Sequence, residues 1–330
     1  MYVLGIESTC DETACAIVRD GREVLSNVIS SQTDLHKLYG GVFPELACRR
    51  HLDVLIPVIA EALRTPGLTP DQIGLIAAAK GPGLIGALLI GLNAAKALSY
   101  AWNIPFVGVN HVEAHLYAAM MPLDNPIFPA LGVVVSGGHT FLVKIERIGA
   151  YQMIGTTRDD AIGEAFDKVG SLLGLPYPGG PKIEALAKMG DRARFPFRSG
   201  KIKNNPWDFS FSGLKTNVMY TLKGLVISEQ DKADVAASFQ ETALRDVVVK
   251  ATEAAKQFDC AAIYCGGGVS NNQRLRSLFR ELDCPVPVYY PAGQLTLDNA
   301  AMIAGLGFHQ FEKKKEGDAM DLAPLTRIPL

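Results

Sequence analysis

The sequence predicts an α/β protein of two lobes with an internal duplication, and three observations carry that reading. A three-stranded meander fills the first thirty residues: Tyr2–Ile6 is apolar, Thr13–Arg19 alternates, Asp20-Gly21 turns the chain, and Glu23–Ile29 alternates again. The pattern returns with Ala130–Val135 apolar, Ser136-Gly137-Gly138 a tight turn, Thr140–Ile145 alternating and Tyr151–Gly155 a third strand. The length, 330 residues, also exceeds what one hydrophobic core usually holds.

The remaining elements follow in order. After Tyr39-Gly40-Gly41 a helix is predicted from Pro44 to about Leu63, with Leu46, Leu52, Leu55, Ile56, Ile59 and Leu63 as its apolar face. Ile73–Ala79 is a strand, Gly81-Pro82-Gly83 a sharp turn, and a small-residue helix runs on to about Ala101. Pro105–Val109 reads as a buried strand and Ala261–Cys265 as another, the latter followed by a helix over Gln273–Leu282. The last helix spans about Asp298 to Glu312, and Lys313-Lys314-Lys315 is its solvated end. The expected lobes are residues 1–105 plus 299–330 and residues 106–298, joined without a low-complexity linker.

Apolar residues at 48% and charged residues at 20% fit a globular enzyme, and a net charge of -2 leaves nucleic acid only a local patch to bind. Six cysteines without a C-x-x-C pair read as reduced thiols of a cytoplasmic protein. The chain opens directly on a strand, which argues against a secretory signal. Leu84–Tyr100 is interrupted by Asn93 and Lys96, so a buried helix is expected there and no membrane association.

His111-Val112-Glu113-Ala114-His115 follows the strand ending at Val109, with Asn110 as N-cap and Glu113 in capping-box position. At about 100° per residue the two imidazoles stand roughly 40° apart on one helical face, close enough to grip one metal ion. Glu113 lies two residues after His111 rather than one, roughly 200° around the helix, which does not suit the H-E-x-x-H arrangement of a metalloprotease.

Three turns combine small residues with hydroxyls just after an apolar strand: Glu7–Glu12, Ser136–Thr140 and Gly266–Asn272. Glycines let a backbone approach a phosphate, and free N–H groups satisfy its oxygens. None is a Walker A loop or a G-x-G-x-x-G fingerprint. Together they resemble the actin-like ATPase superfamily, in which two hairpin turns cradle phosphates and a later Gly-rich turn carries adenosine. That resemblance implies a nucleotide and metal site in the cleft between lobes, with Asp11 and Glu12 placed to manage a cation or a polarised water.

The wording of the motifs is narrower still. Gly5-Ile6-Glu7-Ser8-Thr9-Cys10-Asp11-Glu12-Thr13, Gly81-Pro82-Gly83-Leu84, His111–His115, Val135–Thr140, Gly163–Lys168, Tyr177–Pro181, Phe209–Thr216 and Gly266–Ser270 together resemble the TsaD/Kae family, in order and over nearly the whole chain. Its members make N6-threonylcarbamoyladenosine in tRNA. The resemblance implies a divalent metal ion per subunit, iron with zinc as the alternative, on His111, His115 and Asp298. It implies adenylate contacts (threonylcarbamoyl-AMP, ATP or AMP) from Val134, Val135, Ser136, Gly137, Gly138, Asp167, Gly180, Glu184 and Asn272. Position 184 is Glu where relatives often have Asp. It further implies tRNA as substrate, and as partners a paralogous subunit of the same fold and an ATPase or kinase subunit.

The implied reaction is attack by N6 of adenosine 37, in tRNAs reading codons that begin with A, on the carbamoyl carbon of threonylcarbamoyl-AMP. Asp11 or Glu12 would accept the departing proton. Between Arg192 and Lys215, basic residues (Arg192, Arg194, Arg198, Lys201, Lys203, Lys215) alternate with Phe195, Phe197, Trp207, Phe209 and Phe211. That composition suits either an anticodon-loop binder or a surface loop anchored by core aromatics. The rival activity is an ATP-dependent kinase or carbamoyltransferase of the same superfold acting on a small molecule.

Overall fold

The computed structural model describes residues 1–37, 39–200, 202–223 and 227–328. Residues Met1–Asn125 and Pro291–Leu330 form one compact unit, and Pro126–Tyr290 the other.

In the first unit the alternating segments become β1 (Tyr2–Glu7), β2 (Glu12–Arg19) and β3 (Glu23–Ser31), an antiparallel meander. A short α1 (Thr33–Lys37) leads to α2 (Pro44–Arg64), β4 (Ile73–Gly81), α3 (Ile85–Trp102), β5 (Phe106–Asn110) and α4 (His111–Met120). β4 pairs parallel with β1, and β5 parallel with β4, giving the order β3-β2-β1-β4-β5. Leu4, Ile6, Cys15 and Ile17 pack there with Leu55, Ile59, Ile76 and Leu92.

The second unit repeats this plan. Its meander is β6 (Ala130–Val135), β7 (Thr140–Arg147) and β8 (Ala150–Thr156). Then come α5 (Ile162–Leu172), α6 (Gly179–Ala187), α7 (Ser212–Leu222), the 29-residue α8 (Glu229–Gln257), β9 (Ala262–Gly266), α9 (Gln273–Glu281) and β10 (Val288–Tyr289). β9 runs parallel to β6 and β10 parallel to β9, so the sheet order β10-β9-β6-β7-β8 mirrors the first. The chain then returns to the first unit as α10 (Ala300–Lys314).

Two expectations are corrected here. The lobe boundaries at 105/106 and 298/299 move to 125/126 and 290/291, because β5 extends the first sheet through Ile76↔Phe106 and carries α4 with it. The histidine pair and Asp298 therefore belong to the first unit. The predicted apolar face of α2 also divides. Leu55 and Ile59 are buried beside Ala47, His51, Val58 and Ala62, whereas Leu52 and Ile56 are each 65% exposed. Among the described residues α3 is the one helix long and apolar enough to cross a membrane by length and composition, and one side of it is buried against β4 and α2.

Gly5 sets how closely α10 lies on the first sheet. A Cβ at that position would stand 2.2 Å from the carbonyl oxygen of Ala300 and 2.9 Å from Ala304 Cβ. Only a residue without a side chain lets the helix start come so near.

Candidate metal centre and nucleotide-binding loops

The metal-centre candidate is built from two helix starts. Asn110 caps α4: its side chain accepts from the N–H groups of Val112 at 2.9 Å and Glu113 at 3.3 Å, as the sequence suggested. The cap fixes His111 and His115 on the first turns of a helix that is buried throughout. Asp298 stands just before Asn299, which caps α10 by accepting from Met302 N–H at 3.1 Å. The close seat of α10 over Gly5 brings this carboxylate to the histidines. One ligand atom from each of His111, His115 and Asp298 lies within 4.8 Å of the others.

The donor set fits a divalent ion. Asp298 Oδ1 is 3.1 Å from His115 Nε2 and 3.6 Å from His111 Nε2. Ligands bound at about 2 Å to one tetrahedral ion are separated by such distances. Both ring nitrogens of His115 are buried without a hydrogen-bond partner among the described residues, so the contact to Asp298 is one of proximity and not an aligned hydrogen bond. A buried imidazole left this way is costly unless something binds it. His111 differs. Its Nδ1 lies 2.9 Å from Glu7 Oε2 and 3.4 Å from Thr9 Oγ1. Burial alone would lower the pKa of His111, but the Glu7 and Asp298 carboxylates push it up to about 9. A metal ion must displace that proton, so binding weakens as pH falls.

The loop carrying Asp11 and Glu12 is held from three sides. Thr9 carbonyl accepts from Leu84 N–H at 2.8 Å, Asp11 carbonyl accepts from Gln32 N–H at 2.9 Å, and His51 Nε2 lies 3.0 Å from Cys10 carbonyl while its Nδ1 meets Thr13 Oγ1 at 2.7 Å. Glu12 accepts from Ser31 Oγ at 3.0 Å. Burial first, then the charges of Asp11 and Asp298, push the Glu12 carboxyl up to about 9.

In the second unit the loops form two linked groups. Ser136 N–H donates to His139 carbonyl at 2.9 Å and Ser136 Oγ accepts from His139 N–H at 3.0 Å, closing the turn on itself. Gly163 N–H donates to Ser136 carbonyl at 3.1 Å, which seats the turn on the start of α5. Gly267, at φ +90°, meets the same strand end, where a Cβ would stand 2.6 Å from Val135 carbonyl. Gly137 and Gly138 are exposed, and space is open where their side chains would be. The side chains of Val134 and Val135 are fully buried in β6, so their predicted ligand contact is restricted to backbone atoms. Asp167 Oδ1 accepts from Gly179 N–H at 2.7 Å, holding Gly180 at the start of α6.

Asn272 and Glu184 meet at the start of α9. Asn272 Oδ1 accepts from Arg274 and Leu275 N–H, its Nδ2 donates to Gln240 Oε1 at 2.9 Å, and Glu184 Oε1 accepts from Gln273 N–H at 2.8 Å. Both side chains thus brace this helix end. Beside them opens a pocket of about 470 Å³ lined by Glu184, Gln240, Glu241, Gln273 and Arg274, a size suited to a nucleoside. Sequence reasoning missed Gln240 and Arg274, whose helical positions give no motif. It also gave Glu7 no role, although a carboxylate closing an otherwise apolar strand was a visible signal.

The basic and aromatic segment divides. Phe209 and Phe211 are fully buried, and Phe195, Phe197 and Trp207 pack against the second unit's core. Phe209 and Phe211 thus anchor the loop and offer no stacking face to bases, while Phe195, Phe197 and Trp207 are half-buried. Lys215 is paired with Asp160 at 3.1 Å. Arg192, Arg194, Arg198 and Lys203 are exposed, and Lys201 lies outside the described residues.

Comparison with known proteins decides the family. Residues 23–305 match the family TsaD, tRNA N6-adenosine threonylcarbamoyltransferase. The chain is 59% identical over its whole length to the tRNA N6-adenosine threonylcarbamoyltransferase of Protochlamydia amoebophila, covering 98% of that protein. The chain belongs to the TsaD family. Relatives of the same name in Chlamydia pneumoniae (50% identity, 95% of this chain and 92% of that one) and Carboxydothermus hydrogenoformans (49%, 94% and 92%) agree. This TsaD-family chain is thus a transferase that forms threonylcarbamoyladenosine in tRNA, and neither the small-molecule kinase nor the metalloprotease reading is favoured.

Solved structures bear on the fold alone. HypF of T. kodakarensis aligns at a TM-score of 0.66 and 13% identity, over 98% of this chain and 50% of that one. A ROK family glucokinase from Streptomyces griseus aligns at 0.50 and 13%, over 93% and 98%. The α/β architecture is that of the actin-like ATPases. The family implies a metal ion and a nucleotide-related substrate, with which the His111, His115 and Asp298 cluster is consistent.

Proposed function

We propose that His111, His115 and Asp298 hold the metal ion, that it is iron, and that the transferred group comes from threonylcarbamoyl-AMP to N6 of adenosine 37. The observation that carries this reading is the convergence of three ligand atoms within 4.8 Å around a histidine whose ring nitrogens are buried without a hydrogen-bond partner among the described residues. Two imidazoles and one carboxylate are the donor set of many non-haem iron sites, and zinc accepts it too. Metal analysis of the purified protein should find iron in stoichiometric amount, lost in His115→Ala. Zinc in that amount would overturn the choice of iron, and full metal content in His115→Ala would overturn the site.

When bound, the ion supplies Lewis acidity for the carbamoyl carbonyl and charge neutralisation for the leaving phosphate. The chain's own groups supply the rest. Gly137 and Gly138, exposed in a turn braced by Gly163 and Gly267, offer backbone N–H groups to phosphate oxygens. Glu184, Gly180 and Asn272 frame the nucleoside, and Asp167 keeps the α6 start in place. An exocyclic adenine amine becomes acidic once it bonds to carbon, and Asp11 or Glu12 takes its proton at a carboxylate oxygen. The raised proton affinity of Glu12 makes it a stronger base, when ionised, than an ordinary carboxylate.

The exposed cations Arg192, Arg194, Arg198 and Lys203 are proposed to meet tRNA phosphates. Partner subunits, one a paralogue of the same fold and one an ATPase or kinase, complete the reading. What supports a protein partner is the apolar surface on α2 and α3, where Leu52, Ile56, Leu89 and Ile90 line a groove of about 330 Å³. Six free cysteines are in keeping with a cytoplasmic setting.

A further inference from the structure

Glu7 lies outside the candidate ligand set, yet its contacts divide the two nitrogens of His111 between different tasks. We propose that the Glu7 carboxylate is a positioning group: it keeps a proton of His111 on Nδ1, so that Nε2, on the side of Asp298 and His115, is the nitrogen that takes a metal. The proposal rests on the reading of those three residues as a metal centre.

Glu7 is the last residue of β1 and is fully buried, in a strand whose other inward positions are apolar. A carboxylate survives there only if its oxygens are used. Both are: Oε1 accepts from Thr9 N–H at 2.6 Å, and Oε2 faces His111 Nδ1 at 2.9 Å. A carboxylate oxygen that already faces Thr9 N–H with its partner oxygen is an acceptor, so the imidazole facing it donates from Nδ1. Its other nitrogen, Nε2, lies 3.6 Å from Asp298 Oδ1, on the side of the candidate centre. The His111 ring also sets the edge of its neighbour, since the two imidazoles meet at 4.6 Å between centroids and 81° between planes. His115 has no equivalent anchor among the described residues. One carboxylate thus orients one ligand by hydrogen bonding and the other by ring contact.

The arrangement makes glutamine an informative replacement. The amide offers one acceptor and one donor where two donors, Thr9 N–H and His111 Nδ1–H, need acceptors. Because the Thr9 contact is the shorter, the amide oxygen should turn to Thr9 and its NH2 to His111. That forces Nδ1 to accept and moves the proton to Nε2, the position needed by a metal. A role confined to tying β1 to α4 would not move the tautomer.

The test uses the full chain with zinc as probe. Zinc affinity is measured by competition with a chromophoric chelator for the unsubstituted protein, Glu7→Gln, Glu7→Asp and His115→Ala, with circular dichroism to check folding. Nitrogen-15 NMR of labelled histidines reports the tautomer. The expected result is a loss of about 10–100-fold in zinc affinity for Glu7→Gln, an intermediate loss for Glu7→Asp, and His111 protonated on Nδ1 in the unsubstituted zinc-bound protein. Unchanged zinc affinity in Glu7→Gln, where His115→Ala has lost it, would overturn the role of Glu7 and leave the metal centre standing. Unchanged affinity in His115→Ala would overturn the metal centre itself, and the proposal with it.

Discussion

Gly5→Ala is the substitution that asks most of this fold with the least chemistry. The added methyl carbon would stand 2.2 Å from Ala300 carbonyl, 2.9 Å from Ala304 Cβ and 3.0 Å from Ala304 N. Ordinary contact needs more than 3 Å, so the start of α10 must retreat by roughly 1 Å. Overpacking of this kind costs about 1–3 kcal/mol. The same retreat moves Asp298, two residues before Ala300, away from His111 and His115. Ligand distances at a bound metal tolerate only about 0.2 Å, so zinc affinity should fall about 10–100-fold, the usual range when support around a ligand is lost. Chelator competition and thermal unfolding on the same preparation separate the two effects. A lowered melting temperature with unchanged zinc affinity would refute the claim that the seat of α10 positions Asp298.

Glu12→Gln should flatten the alkaline limb of the transfer rate. A carboxyl with a pKa raised to about 9 holds its proton at neutral pH, so activity that needs it ionised rises with pH and the variant loses that rise; a bound cation at Asp298 shifts the limb downward, and an unchanged profile would exclude Glu12 as proton acceptor. Asp160 is held below the usual carboxylate range: burial acts to raise it, but hydrogen bonds from Lys168 and Lys215 outweigh that. Its depressed folded-state pKa gives stability that is present above the unfolded value of about 4 and lost as pH falls through the folded value. Asp160→Asn should therefore cost about 0.5–1 kcal/mol in urea unfolding at pH 7, after discounting for solvent screening, and progressively less as pH falls below about 4; a cost that does not change with pH would refute the ionic origin. Charge reversal at Arg198 and Lys203 should weaken tRNA binding and flatten its salt dependence, measured by filter binding across salt concentrations. Unchanged affinity and slope would remove this segment from the tRNA surface.

The sheets were legible because alternating and apolar runs bounded by Gly and Asp turns write a meander plainly, and the second meander begins at Ala130 and ends its first strand at Val135 as read. Helix α8 was not legible. Its buried stripe consists largely of alanines, among them Ala233, Ala236, Ala237, Ala243 and Ala251, which give almost no contrast of hydrophobicity. Leu52 and Ile56 misled for the opposite reason: they extend an apolar face beyond what the core of the unit covers. Asn110 as N-cap followed from residue type and position alone. The His111 and His115 pair was readable from spacing, but Asp298 came only through family resemblance, because helix packing over Gly5 joins segments far apart in the chain. The aromatic rings at 209 and 211 could be assigned to the core only once their burial was seen.

In the proposed function His111, His115 and Asp298 form the metal centre required for transfer. Threonylcarbamoyl-AMP and unmodified tRNA should be supplied to metal-loaded protein, to chelator-stripped protein, and to stripped protein given iron again, with nucleoside analysis by mass spectrometry. Threonylcarbamoyladenosine is expected in the first and third and none in the second, with His115→Ala inactive throughout. Full product from the stripped protein, or from His115→Ala, would contradict that role.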